Sequence, residues 1–471
     1  LHVPWLEFCI LIPVLGAFWT RFYRDPESIR RCSLAVSLLT FFCAVGAWQD
    51  FGLLKAREAH DPWNPLTELL GLDLLVIDTL SAPLLPLVAL LFLLTHLATL
   101  RTKVREFSFA RSLISKAILL ATFSCKRPDV VVLLLTAGTI LPYIELRKLR
   151  KPSRVYVYSM SVFVVLLLCG QVITSWTQGS LVGILLLALA VLLRSGIAPI
   201  HFWMTDLFEH VTFGTALLFV TPMVGAYGFT RLVLPVAPHW VLSTVAIMSL
   251  ITAVYAAGMA LVQREARRFY CYLFLSHSSL VLVGLETATP IGLAGGLILW
   301  LSVSLSLTGF GLVIRSVESR TGRISLSDYQ GLYSHIPMLA ALFLLTGLAS
   351  VGFPGTPGFV GLELLVEGAL RAFPMVGAFV MIVAALNGLA VVYVYFQLFT
   401  GKNHASSIDL RTRPTERVAV MVLSAVLLGG GLYPQPGVET RYRAAAGLIE
   451  ARSTPGKMSA HSMAVLRVDH E

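Results

Sequence analysis

Apolar runs of membrane-spanning length recur along this whole chain, and they limit its fold more than any other feature. A helix that crosses a bilayer needs about 20 mainly apolar residues. Candidate runs cover 4–20, 32–48, 79–99, 108–124, 129–146, 156–176, 179–199, 212–236, 239–262, 269–286, 290–314, 336–354 continuing to 370, 373–400 and 416–433. That makes roughly fourteen spans. Inside lipid every backbone polar group must be paired within the protein, so runs of this kind form helices. The expected fold class is an all-α polytopic membrane protein. Only 13% of the 471 residues are charged, against roughly 25% in a soluble domain, so most of the surface does not face water.

The formal charge is +10. In a soluble protein that would suggest nucleic acid. Here the basic residues sit in short clusters between apolar runs, with no Gly-rich phosphate loop and no basic–aromatic stripe, so no nucleic-acid partner is expected. The clusters fall at 21–31, 100–111, 147–154, 264–268, 315–323 and 402–417, while 49–78 is acidic, with Asp50, Glu58, Asp61, Glu68, Asp73 and Asp78. With fourteen spans these basic connections are alternate loops. Lys and Arg accumulate on the cytoplasmic side, which puts both termini outside. Lys126 and Arg127 are the exception, in a short outside turn. The tail from about 434 is polar and basic, and it reads as partly disordered. The six cysteines have no C-x-x-C spacing and read as small buried hydrophobes. No cleavable signal peptide is evident. The chain starts at Leu1 rather than methionine, which points to missing N-terminal residues or an unusual start codon.

Two runs break near their middles. One reads L-L-R-S-G-I-A-P-I-H-F-W, with Gly196 and Pro199. The other reads L-A-S-V-G-F-P-G-T-P-G-F, with Gly352, Pro354, Gly355, Pro357 and Gly358. Paired discontinuous helices at matching positions are the best sequence pointer to an inverted-repeat transporter.

Arg194 lies inside the first of these runs. A cation at the bilayer centre costs about 2.5–3.5 kcal/mol on insertion scales. It is tolerated where it faces the bundle interior, pairs with an acid, or meets carbonyls freed at a broken helix. Arginine keeps its proton, so it holds charge without relaying it. His201, just after the break, and His277, among Ser276, Ser278 and Ser279, have the ordinary titration range of a proton relay. Glu363 and Glu367 share a helix face, and one of them could be a buried proton carrier. Lys116 reads as a snorkelling residue, and Glu145, beside R-K-L-R-K, as part of an interfacial ion pair. No metal-ligand cluster, catalytic triad or nucleotide loop stands out, so no cofactor, metal or catalytic site of its own is expected.

With these motifs the chain resembles the antiporter-like, proton-conducting membrane subunits of respiratory complex I, nearest the M-type or chain 4 subunit, over roughly residues 65–400. R-S-G-I-A-P-I-H-F-W-M-T-D corresponds to the family's K-x-P-x-x-P-F-H-x-W-L-P-D-A. Residues 263–279, Q-R-E-A-R-R-F-Y-C-Y-L-F-L-S-H-S-S, correspond to Q-x-D-x-K-x-x-x-A-Y-S-S-x-S-H-x-G. Residues 337–361 match the family's L-A-S-x-G-L-P-G-x-x-G-F-x-G-E-F, and L-G-L-D-L-L-V-I-D-T-L-S-A-P-L, residues 71–85, resembles the stretch leading into the third helix. The resemblance implies about fourteen helices with two inverted five-helix repeats, each holding a discontinuous helix. It divides the chain into 1–107 (helices 1–3), 108–236 (first half), 237–400 (second half), 401–433 (last helix) and the tail 434–471. It implies a bacterial-type inner membrane and, as partners, protons or sodium, the lipid bilayer and other membrane subunits of a multisubunit complex.

The sequence departs from the family at telling positions. Arg194 stands where the family has a lysine, and Ala137 where its partner glutamate should fall. Met223 stands at the eighth-helix lysine, Ser302 or Ser304 at the eleventh-helix histidine, and Leu362 at the acid that follows G-F-x-G. The leading reading is a proton-translocating subunit of an NADH:quinone oxidoreductase or related redox-driven complex. Arg194, His201, His277 and Glu363 would form its ion pathway, and the redox cofactors would sit in other subunits. The alternatives are the membrane energy-coupling subunit of a two-component inorganic-carbon transporter and a non-conducting structural paralogue.

Overall fold

A computed structural model describes residues 1–63, 74–99, 107–177, 179–287, 289–372, 374–401 and 413–453. Glu68, Asp73, Arg101, Lys103, Arg105, most of the basic 402–417 connection and the tail after residue 453 lie outside the described residues. The described chain is helical almost throughout: α1 (Trp5–Trp19), α2 (Pro26–Leu54), α3 (Leu84–Leu97), α4 (Phe109–Phe123), α5 (Pro128–Gly138), α6 (Ile140–Lys148), α7 (Arg154–Trp176), α8 (Leu181–Ser195), α9 (Phe202–His210), α10 (Phe213–Val220), α11 (Val224–Gly228), α12 (His239–Leu261), α13 (Ala266–Glu286), α14 (Pro290–Thr321), α15 (Pro337–Val351), α16 (Pro357–Ala372), α17 (Pro374–Phe399), α18 (Pro414–Leu432) and α19 (Gln435–Ser453). One short antiparallel pair joins β1 (Glu58–Ala59) to β2 (Ile77–Asp78).

Helix starts follow local chemistry. Asp25 caps α2 through the Ser28 amide, with Pro26 at the first helical position. Thr289 does the same for α14, with Pro290 behind it. Oxygen side chains satisfy the orphan amides of a first turn, and proline has no amide to satisfy there.

Ten helical stretches among the described residues are long and apolar enough to cross a membrane, and α3, α8 and α15 are shorter apolar helices. Burial separates centre from periphery. The most apolar windows of α13 and of Phe213–Val233 are 94% buried and that of α14 is 89% buried, against 22% for α7 and 33% for α2 and α17. The three buried stretches are the axis on which the candidate site is built. The weakly buried helices present apolar surface outward, as lipid contact requires.

The connections gather at two ends. At one end Lys126 pairs with Glu58, Arg231 with Asp78, and Arg57 with Glu450. At the other, Arg267 pairs with Glu318, Arg268 with Glu209, and Arg320 with Glu416. The basic connections 264–268 and 315–323 therefore share an end, and the acidic 49–63 stretch takes the opposite one. Lys126, the exception in the charge pattern, answers a carboxylate on the acidic end.

The first part of the C-terminal segment is ordered: residues 435–453 form α19, docked on the acidic end. Arg441, buried there, donates to the carbonyls of Leu80 and Thr79, and Arg452 donates to that of Ala237. A polar sequence becomes ordered because these arginines donate to carbonyls of the turn before α3 and of the connection before α12.

Candidate functional site at two broken helices

The two breaks have one backbone design. At the end of α8, Gly196 has φ 76°, and its amide bonds to the Leu193 carbonyl while the Ile197 amide reaches Leu192. At the end of α15, Gly352 has φ 92°, with amide bonds from Gly352 to Ala349 and from Phe353 to Leu348. This is the Schellman pattern, and its left-handed position favours glycine. Pro199 follows the first glycine through a cis peptide bond. After the second come Pro354, then Gly355 at φ 89°, and Pro357 opens α16. Gly358 has no room for a side chain: a Cβ there would lie 2.9 Å from the Ala349 carbonyl oxygen and from Ser302 Oγ. Arg194 and Ser350 hold the same place in the two motifs, two residues before the left-handed glycine.

Arg194 is buried, and no carboxylate among the described residues pairs with it. Its Nη2 donates to the Phe219 carbonyl at 3.2 Å. Its guanidinium lies 4.0 Å from the Phe219 ring centroid and 5.4 Å from that of Trp203. Trp203 is itself held by a 2.9 Å bond from Nε1 to the Leu193 carbonyl. Phe219 lies in the last turn of α10, where carbonyls lack helical partners and the helix dipole is negative. That helix ends at a third break, which the sequence reading missed. Thr221-Pro222-Met223 interrupts the eighth apolar run, with Met223 left-handed at φ 52°. Three of the carbonyls around it find donors: Phe219 from Arg194, Thr221 from Ser304 Oγ at 2.7 Å, and Pro222 from Trp300 Nε1 at 3.1 Å. The proline inside an apolar run was the available signal. A small cavity lined by Arg194, Ser195, Met223, Gly225, Phe274 and Ser278 has room for about one water molecule. A second cavity runs from Phe219 to Arg111, Ser112, Glu145 and Thr215.

His277 is buried in the middle of α13, and its Nε2 faces Ser350 Oγ at 3.3 Å. Ser350 also donates to the Gly347 carbonyl at 2.6 Å. Beside the histidine, Ser276 donates to the Ala253 carbonyl and accepts from Asn387 Nδ2, both at 2.9 Å. His277 thus touches the second break, and its neighbour Ser278 lines the cavity at the first.

The other expected residues do not join this cluster. His201 is buried among the rings of Phe202, Tyr255 and Tyr272, with centroids 4.8, 5.4 and 5.8 Å away, and neither ring nitrogen has a hydrogen-bond partner. Glu363 and Glu367 are exposed on α16 rather than buried in the bundle, because the helix turns that face outward. Lys116 does not snorkel: it is fully buried and donates to the Ser37 carbonyl at 3.2 Å. Close by, His96 bridges Ser37 Oγ at 3.0 Å and Ser112 Oγ at 2.8 Å. Glu145 does form an ion pair, with Arg111 at 3.4 Å, and it is buried, hydrogen-bonded by Thr212 and Thr215. Among the described residues, no group of three or more His, Cys, Asp or Glu side chains could hold a metal ion.

Residues 153–387 match the model of the family described as NADH:quinone oxidoreductase/Mrp antiporter, transmembrane. The chain is 27% identical over 252 residues to NADH-quinone oxidoreductase subunit M of Mycobacterium tuberculosis, an alignment that covers 52% of this chain and 45% of that one. Its fold is similar to a chain of respiratory complex I from Thermus thermophilus, with a TM-score of 0.81 at 21% identity over 95% of this chain and 99% of that one. It is equally similar to a chain of the Mrp complex of Dietzia sp., with a TM-score of 0.82 at 17% identity over 95% and 98%.

Proposed function

Because the chain belongs to the NADH:quinone oxidoreductase/Mrp antiporter family of membrane subunits, we propose that it translocates protons as an antiporter-like subunit of a complex I-like or related redox-driven membrane complex. Other membrane subunits of that complex would be its partners, and the redox chemistry would lie in them. The observation that carries this reading is the contact between His277 and Ser350 at a broken helix. A buried imidazole takes a proton on its free nitrogen and passes it through a hydroxyl. The end of α15 positions that hydroxyl, so a small movement at Gly352 makes or breaks the link. Imidazole also favours protons over sodium, since hard cations select oxygen ligands.

Arg194 has a different role in this reading. It cannot switch protonation, and no acid opposes it, so it holds a fixed positive charge at the first break. Proton transfer then runs mainly through the second half. The proposed topology is fourteen spans with both termini outside and two inverted halves, 108–236 and 237–400. The identical backbone design of the two breaks and the gathering of basic connections at one end support it.

The test is proton flux in proteoliposomes holding the purified complex. His277→Ala should abolish most of the flux, and His277→Ala with His201→Ala should add little. Unchanged flux in both variants would sink the relay. No flux with the unaltered chain would leave the non-conducting reading standing.

A further inference from the structure

We propose that Glu286, with Ser249 and Ser279, is a second buried proton-binding station, on the seam between α12 and α13. Glu286 is the last residue of α13 and is buried, yet neither carboxyl oxygen has a hydrogen-bond partner. Ser249 of α12 approaches that carboxyl without reaching ordinary hydrogen-bond geometry. The hydroxyls of Ser249 and Ser279 are also buried without partners. Seven positions apart, Ser279 and Glu286 lie within about 20° on one face of the helix. Ser276, which donates to the Ala253 carbonyl of α12, lies within about 80° of the same direction. Ser249 and Ala253 are one turn apart on α12. Asn387 Nδ2 closes the row onto Ser276, and its Oδ1 has no partner.

Groups like these do not persist unpaired by accident. An unbonded buried hydroxyl or amide is unfavourable, and an unpaired ionised carboxylate in apolar surroundings far more so. Four residues with this deficit, lined along one seam, describe a track completed by protons and water. The track answers a gap in the second half. Where the family acid is expected the chain has Leu362, and Glu363 beside it is exposed. Glu286 supplies a buried acid instead. His277 lies about 14 Å away along the helix, too far for one transfer; Ser279 lies between the two on α13 and Ser249 faces the seam from α12, while Ser276 and Asn387 extend the polar row on the far side of His277. In each passage an O–H bond forms at the Glu286 carboxylate as an N–H or O–H bond of the donor breaks. Release to water at the acidic end reverses this, and no electrons change hands.

This inference rests on the proton-translocating reading, and the test separates the two. The complex in native membrane vesicles is treated with dicyclohexylcarbodiimide, an apolar reagent that adds to protonated carboxyl groups, and the modified peptides are mapped by mass spectrometry. An adduct at Glu286 with at least a tenfold loss of flux is expected. Glu286→Gln should lose flux at least tenfold and also lose its sensitivity to the reagent, while Glu286→Asp keeps part of both. Ser249→Ala, the milder change, should lower flux several-fold, and it covers the case in which Glu286→Gln fails to assemble. Flux within twofold of the unaltered complex in Glu286→Gln, alongside its loss in His277→Ala, overturns the station and leaves the relay intact. Absence of the Glu286 adduct overturns it whether or not the unaltered complex moves protons.

Discussion

At the scale of single residues, the weight of Arg194 lies in opposing terms. Its burial costs about 2.5–3.5 kcal/mol. A charged donor on the Phe219 carbonyl returns about 1.5–3 kcal/mol, and a desolvated cation–π contact about 2 kcal/mol. The sum favours the arginine by about 1 kcal/mol. Arg194→Met should therefore change stability by less than about 2 kcal/mol, checked by thermal unfolding of the purified complex. Asp78 behaves differently. Burial alone would push its carboxyl up, but the Arg231 guanidinium, at 2.7 and 2.9 Å, and the Ser81 donors outweigh it and hold the carboxyl at about 2, down from 3.8. A depressed carboxylate stabilises the fold above its unfolded value, and that stability is lost as pH falls through the folded one. The unfolding temperature should drop between pH 4 and pH 2, by an amount equivalent to about 2 kcal/mol. Asp78→Asn should cost about 3–5 kcal/mol at neutral pH, because it leaves Arg231 buried without its partner.

At the scale of elements, the breaks are where backbone geometry and proton chemistry meet. Gly352 sits at φ 92°, and a Cβ there would lie 3.2 Å from the Gly358 carbonyl oxygen. Gly352→Ala should cost about 1–2 kcal/mol from the left-handed backbone and lower proton flux, since Ser350 is carried on the strained turn. Ser350→Ala is the sharper test. The fold should survive, because the hydroxyl's other bond is to the carbonyl of its own helix, but flux should fall several-fold. An unfolding midpoint close to that of the unaltered complex, combined with reduced flux, is the expected pair of readings. The breaks at Gly196 and Gly352 were legible in the sequence because glycine and proline act locally. The third break was not: Pro222 lies in a run apolar enough to hide it, and only the donors from Arg194, Ser304 and Trp300 reveal how its carbonyls are used.

At the scale of the molecule, the ends of the bundle carry the prediction. Thiols introduced at Thr177 and Tyr433 should label from one side of sealed membranes, and one at Arg264 from the other. All three positions are exposed, so a failure of this pattern would count against the fourteen-span topology rather than against access. The docking of α19 on the end that carries Glu58, Asp78 and Lys126 puts the C-terminal helix with the acidic connections.

What the amino-acid order determined by itself was the helical, membrane-borne class, the alternation of charged connections and two of the three breaks. Each depends on a property summed over neighbouring residues: hydropathy, charge or backbone preference. What only the tertiary structure decided was which buried polar groups meet. Arg194 was legible as a charge in an apolar run, but not that a helix end and two rings receive it. His277 was legible as a candidate, but not its hydroxyl partner 73 positions away. Glu363 and Glu286 were both glutamates in apolar helical runs, and the packing turned the first outward and enclosed the second. Those outcomes depend on how each helix is rotated against its neighbours, and hydropathy along one strand of chain carries no information about the azimuth at which a distant helix will pack.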